Sequence, residues 1–100
     1  MSENRTMLVV LICEEALENI VVPELLAAGA KGYTVCDARG RGNRGVRDAR
    51  WLLSSNVRIE MLCNEPVASH ILDMVETKYC ANYGLVIYMV DAKVNRGGKF

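Results

Sequence analysis

The most constraining feature of this chain is the order of its hydrophobic patterns: two helix-like stretches with two strand-like stretches and no helix between them. Residues 6–13, TMLVVLIC, are a continuous apolar run that suits a central strand covered on both faces. Glu14 and Glu15 then open a helical segment, where acidic side chains complement the helix dipole. Ala16, Leu17, Ile20, Val21, Leu25 and Leu26 fall on one helical stripe. Pro23 interrupts it, so either the helix kinks or two short helices meet with Pro23 in the first turn of the second. Gly29 ends this segment and Gly32 follows in the connection. Residues 33–38 read as a second strand. Residues 56–63 read as a third, with Val57, Ile59, Met61 and Cys63 on one face and Arg58, Glu60 and Leu62 on the other. Asn64 is placed to cap a helix whose first turn holds Glu65 and Pro66, and Val67, Ile71, Leu72, Val75 and Tyr79 recur on it at helical spacing. Gly84 closes it, and residues 85–94 form a fourth strand before a basic, Gly-rich tail, NRGGKF.

The order β-α-β-β-α-β predicts an α+β fold, the ferredoxin-like βαββαβ sandwich: a four-stranded antiparallel sheet with both helices on one face. The second and third strands form a hairpin whose long loop, about residues 41–55, is expected to be functional and partly mobile. One hundred residues amount to a single domain, spanning 1–100. Several strands are apolar on both faces. An oligomer that buries the open face of the sheet is therefore expected, as small chains leave much of their surface uncovered.

The formal net charge of +0 argues against general affinity for nucleic acid or membranes, so any anion site must be local. The opening MSENRT is polar and the apolar run after it is too short for a secretion signal or for the roughly 20 residues of a membrane span. A cytoplasmic location is expected. The four cysteines, Cys13, Cys36, Cys63 and Cys80, make no C-x-x-C and each lies in an apolar context, which predicts reduced, buried side chains.

Positive charge is concentrated in one place. Arg39, Arg41, Arg44, Arg47 and Arg50 lie within twelve residues, among Gly40, Gly42 and Gly45, and only Asp48 opposes them there. The glycines spell G-x-G-x-x-G, but a dinucleotide fingerprint needs a parallel βαβ crossover that this element order does not supply. No Walker motif is present. The physics behind such motifs still applies: glycine lets backbone N–H groups approach an anion, and the arginine fork matches phosphate oxygens two at a time. Each charged hydrogen bond contributes about 1.5–3 kcal/mol, so two or three well-placed arginines suffice for micromolar binding of a di- or triphosphate. The bland alternative, a solvated hairpin tip, would be served equally by lysine, glutamate or serine.

The stretches GAKGYTV (29–35), GRGNRGVR (40–47) and KY..NYGLVIY (78–88) resemble the PII superfamily of signalling proteins over essentially the whole chain. The likeness is greatest to its PII-like branch, which includes the carboxysome-associated PII protein and the bicarbonate-transporter regulator. The resemblance implies a homotrimer whose three inter-subunit clefts each bind an adenine nucleotide, and a regulatory loop, the T-loop, at the hairpin tip. Carried over by position, Gly32 and Thr34 would line the adenine end, and Gly40, Arg41, Gly42 and Asn43 would shape the loop base near the phosphates. Arg44 and Arg47 would hold phosphate, and Tyr83, Gly84 and Leu85 would supply backbone contacts from the cleft wall. Arg96 and Lys99 would reach the phosphates from the tail. The tyrosine that is uridylylated in the T-loop of many PII proteins has no counterpart between Gly40 and Asn56, and the long Gly-rich B-loop is unmatched. Uridylylation and 2-oxoglutarate sensing are therefore not expected. What the resemblance implies is ADP or AMP as ligand, with ATP and bicarbonate as further candidates. No prosthetic group or metal is implied. The output would be regulation of inorganic-carbon uptake or fixation, with a carbon transporter as a partner, through a T-loop ordered or released by ligand.

Two other classes compete with this one. Arg/Gly segments and ferredoxin-like sheets both occur in RNA-binding modules, and the loop could dock RNA or a protein. The paired aromatics of an RNP motif are absent, so no nucleic-acid partner is expected. For an enzyme, His70 is the only histidine and has no nucleophile partner in sequence, and dispersed acids do not make a metal site. No catalytic residue is expected. Trp51, Leu52 and Leu53, just after the arginines, would either fold back on the sheet or form a docking tip.

Overall fold

In the computed structural model, residues 5–40 and 55–95 are described. Four strands, β1 (Thr6–Glu14), β2 (Thr34–Ala38), β3 (Asn56–Asn64) and β4 (Val86–Asp91), make one sheet in the order β2-β3-β1-β4. All three pairings are antiparallel. The helices are α1 (Glu18–Ala27), entered through a 3-10 turn at Glu15–Leu17, and α2 (Glu65–Lys78). This is the α+β, ferredoxin-like fold expected from the element order, with the loop region between β2 and β3.

One face of the sheet and both helices share a single core. Val9, Leu11, Cys13, Val57, Ile59, Met61 and Cys63 from the strands are packed with Leu17, Val21, Leu25, Ala68, Ile71 and Val75 from the helical segments, all buried. Each such aliphatic side chain contributes about 1.5–3 kcal/mol by leaving water. The alternation read in β3 holds, since Arg58, Glu60 and Leu62 are the half-buried set on its other face. Asn64 caps α2: its Oδ1 accepts from the Val67 N–H at 3.1 Å, with Pro66 in the first turn.

Several local expectations need correction. Glu14 is the last residue of β1, not the first of the helix. Of the two readings at Pro23, the first turn of a second helix fails: Pro23 lies inside α1, beyond its first turn, with its ring on the exposed side. Of the predicted stripe, Leu17, Val21 and Leu25 are buried one turn apart, but Ala16, Ile20 and Leu26 are exposed and Val22 takes their place. The helix is apolar nearly all round, so hydrophobicity alone could not select its inner face. Helix α2 ends at Lys78 with Tyr79 as its C-cap, five residues before Gly84, because residues 79–83 form a turn rather than a last helical stretch. Gly29 does end α1, at φ +122°. All four cysteines are free, but Cys36 is exposed and Cys80 half-buried, against the expected burial of all four. Strand β2 is an edge, and Cys36, level with Arg58, points to the open face.

That open face is apolar over its β1 and β4 half. Leu8, Val10 and Ile12 of β1 lie level with Val90, Tyr88 and Val86 of β4. Val10 is buried by its neighbours, whereas Val86, Tyr88 and Val90 remain 49%, 38% and 47% exposed. Arg58 and Glu60 pair on this face at 2.7 Å, and the Arg58 guanidinium reaches the Tyr88 hydroxyl at 3.5 Å.

Candidate functional site

The Arg/Gly loop springs from one end of the sheet. Ala38 at the end of β2 and Glu14 at the end of β1 both lie level with Asn56, the first residue of β3. The loop's exit is fixed there by a backbone bond from the Glu15 N–H to the Ser55 carbonyl, 2.8 Å. Arg39 and Gly40 are exposed at its entrance. Arg41, Gly42, Asn43, Arg44, Arg47 and the Trp51, Leu52, Leu53 group lie outside the described residues, as do Arg96 and Lys99 of the tail.

The described candidates divide between the two edges of the sheet. Gly32 and Thr34 belong to the start of β2, and Thr34 pairs with Glu60 of β3. Tyr83, Gly84 and Leu85 lead into β4, whose first residue, Val86, is level with Ile12 near the loop end of β1. Strands β3 and β1 lie between the two edges. At about 4.8 Å per strand, β2 and β4 are about 14 Å apart. One chain therefore brings Gly40 to the end of the sheet nearest Tyr83–Leu85, but does not place Gly32 and Thr34 beside that segment.

Gly32, Gly40 and Gly84 share a second property. A Cβ added at any of them would meet nothing within 4 Å among the described residues. Packing among the described residues does not demand glycine there. By contrast, a Cβ at Gly29 would meet Val67 at 3.1 Å in a backbone conformation that L residues rarely adopt.

Electrostatics around the loop base are mixed, with Glu14, Glu15 and Glu18 clustered where β1 passes into α1. Cys13 lies beneath them. Burial first, then the charges of Glu18 and Glu14, push its thiol up to about 11, so it is not a nucleophile at neutral pH. His70 is exposed on α2. Among the described residues no group of three or more His, Cys, Asp or Glu side chains could hold a metal ion. No helix among them is long and apolar enough to cross a membrane.

Among the described residues of the candidate site, the turn before β4 is the most closely tied, and sequence reasoning missed what ties it. The Tyr79 hydroxyl donates to Glu24 Oε1 of α1 at 2.6 Å, and Lys78 pairs with the other oxygen of the same carboxylate. The only sequence signal is the late position of Tyr79 on the α2 stripe; its partner lies 55 residues earlier.

Comparison with known proteins places these features in context. A PII-like signaling protein from Thermus thermophilus is 35% identical, with 93% of each chain covered and a TM-score of 0.74. CPII from Thiomonas intermedia, in a structure bound to ADP and bicarbonate, is 22% identical over 91% of this chain and 89% of its own, with a TM-score of 0.75. Another CPII structure, bound to ADP, AMP and acetate, is 18% identical over 96% of this chain and 94% of its own, with a TM-score of 0.76. The family model for nitrogen regulatory protein P-II matches residues 6–99. The motif-bearing stretches 29–35, 40–47 and 78–88 all fall within that match, and the chain belongs to the P-II family.

Proposed function

We propose that this chain is a single PII-like signalling domain, residues 1–100, that forms a homotrimer and binds an adenine nucleotide in the clefts between subunits. ADP or AMP is the favoured ligand, and ATP is a further candidate. The observation that carries this reading is the division of the candidate residues between opposite sheet edges. A ring in which the β4 edge of one subunit faces the β2 edge of the next would unite Tyr83–Leu85 with Gly32 and Thr34. The apolar row Val86, Tyr88 and Val90 supplies surface for such an assembly. The open space at Gly32, Gly40 and Gly84 suits close approach of a ligand to the backbone.

In this reading Gly40, Arg41, Gly42 and Asn43 form the loop base, Arg44 and Arg47 grip phosphate, and Arg96 and Lys99 add charge from the tail. The ligands named for the Thiomonas structures, ADP, AMP and bicarbonate, support nucleotide and bicarbonate as the pair to test. Bicarbonate is a small planar oxyanion suited to arginine and backbone N–H donors. Ligand would neutralise the loop arginines and order the T-loop, which then admits or refuses a partner. The partner proposed is an inorganic-carbon transporter or another component of carbon uptake or fixation, in the cytoplasm. No catalytic role is proposed.

Calorimetry with ATP, ADP and AMP, each with and without bicarbonate, tests the reading. Micromolar binding of one nucleotide is expected, tightened by bicarbonate. Arg47→Ala should weaken it at least about tenfold, since one or two charged hydrogen bonds are lost. Absence of binding to all three would discard the nucleotide reading and leave the loop as a docking element for RNA or protein. Unchanged affinity in Arg47→Ala would remove that residue from the phosphate site.

A further inference from the structure

The turn between α2 and β4 has no regular backbone pairing of its own. Residues 81–84 are exposed, and they include the first two residues of the segment Tyr83–Leu85. Its hydrogen bonds converge on one residue: the Tyr79 carbonyl accepts from the N–H of Asn82 at 3.1 Å and of Tyr83 at 3.0 Å. The Tyr83 ring lies 6.0 Å from the Tyr79 ring, tilted by 47°. At the far end the Leu85 N–H donates to the Tyr83 carbonyl at 3.0 Å, and Leu85 rests on the core.

Tyr79 is in turn held from outside α2. Its own N–H closes the helix on the Val75 carbonyl, but the hydroxyl of this buried residue donates across to Glu24. A phenol donating to a carboxylate is a short, charge-assisted bond and stronger than a neutral one. Lys78 engages the other Glu24 oxygen, so one carboxylate in α1 holds two consecutive residues at the end of α2. The bond to Glu24 holds the Tyr79 ring against α1, beside the Tyr83 ring of the same turn whose N–H groups the Tyr79 carbonyl accepts.

We infer that Glu24 and Tyr79 are positioning residues for the nucleotide cleft: their bond sets the turn that presents the backbone of Tyr83–Leu85. The inference rests on the nucleotide reading above and assigns the site two residues that touch no ligand. Tyr79→Phe keeps the ring and removes the bond. Glu24→Ala removes the acceptor, whereas Glu24→Gln retains an oxygen for the phenol and gives up the charge and the second acceptor that Lys78 engages.

The experiment pairs amide hydrogen exchange with ADP calorimetry on these three variants and the parent chain, using the Leu11 amide of β1 as a folding control. Exchange at Asn82 and Tyr83 should quicken in Tyr79→Phe and Glu24→Ala while Leu11 stays protected. ADP affinity should fall about fivefold to tenfold in both, less than for loss of a phosphate-gripping arginine, because the bond removed orders the cleft and does not touch the ligand. Glu24→Gln should recover most of the affinity, a rescue that general destabilisation would not produce. Unchanged exchange in Tyr79→Phe overturns the tether. Faster exchange with unchanged ADP affinity overturns the positioning role alone. If the parent chain binds no ADP, the nucleotide reading falls and takes the positioning role with it, and the parent titration tells that failure from the others.

Discussion

Glycine serves two different purposes along this chain. At Gly29 the fold itself requires it, through φ +122° and the approach of Val67. Gly29→Ala should lower stability by about 1–3 kcal/mol, from backbone strain and contact with Val67 together, measured by urea unfolding. A loss below a few tenths would show that Val67 and the turn relax at little cost. At Gly32 and Gly84 the chain has room for a methyl group. Gly32→Ala and Gly84→Ala should leave urea midpoints nearly unchanged yet weaken ADP binding, and unaltered binding would remove these positions from the proposed cleft. The end of α1 at Gly29 is legible in the sequence because a glycine after an apolar helical run is a specific stop signal. Cys36 misleads for an equally local reason: alternation along a strand separates two faces but does not say which one is covered.

Helices and strands are largely legible because their hydrophobic periods differ, and the Asn64 cap follows from side-chain chemistry alone. The inner face of α1 is not, since Ile20 and Leu26 are as apolar as Val21 and Leu25. The bond between α1 and α2 is also hidden, because nothing in the local pattern of Glu24 or Tyr79 names a partner so distant in sequence. That bond has a pH signature. Burial, then the hydrogen bond to Glu24, raise the Tyr79 phenol from its ordinary value to about 12. A group whose folded value is raised stabilises the fold fully below its unfolded value, about 10, and loses that contribution as pH climbs toward 12. Thermal midpoints of the native chain should therefore fall more steeply between about pH 10 and 12 than those of Tyr79→Phe. Identical slopes would show that the phenol is not titrating in contact with Glu24. At the acid end, the hydrogen bonds from Lys78 and Tyr79 hold the Glu24 carboxyl below the usual range, so this link persists until pH falls through that lowered value.

At the scale of the whole molecule, most of the loop and tail arginines fall outside the described residues, whereas the two ends of the candidate site within them are named by motif resemblance. Their separation is not legible in the sequence. It emerges only from strand order, which sends β2 and β4 to opposite edges. Val90, on the open face of β4, gives a direct handle on assembly. If the proposed trimer buries this face, Val90→Lys should reduce the molar mass in light scattering from trimer toward monomer, because a lysine buried in an apolar interface carries a large desolvation cost. An unchanged mass would place the assembly surface elsewhere.

A ring built edge to edge also has a genetic consequence. Every cleft would take one lip from each of two chains, so a lesion at Gly32 and a lesion at Gly84 would damage different lips. Neither altered chain alone could form an intact cleft. Mixed and reassembled in equal amounts, they would regenerate about a quarter of the clefts, wherever two undamaged lips meet by chance. Two inactive alleles would then complement each other within one gene product.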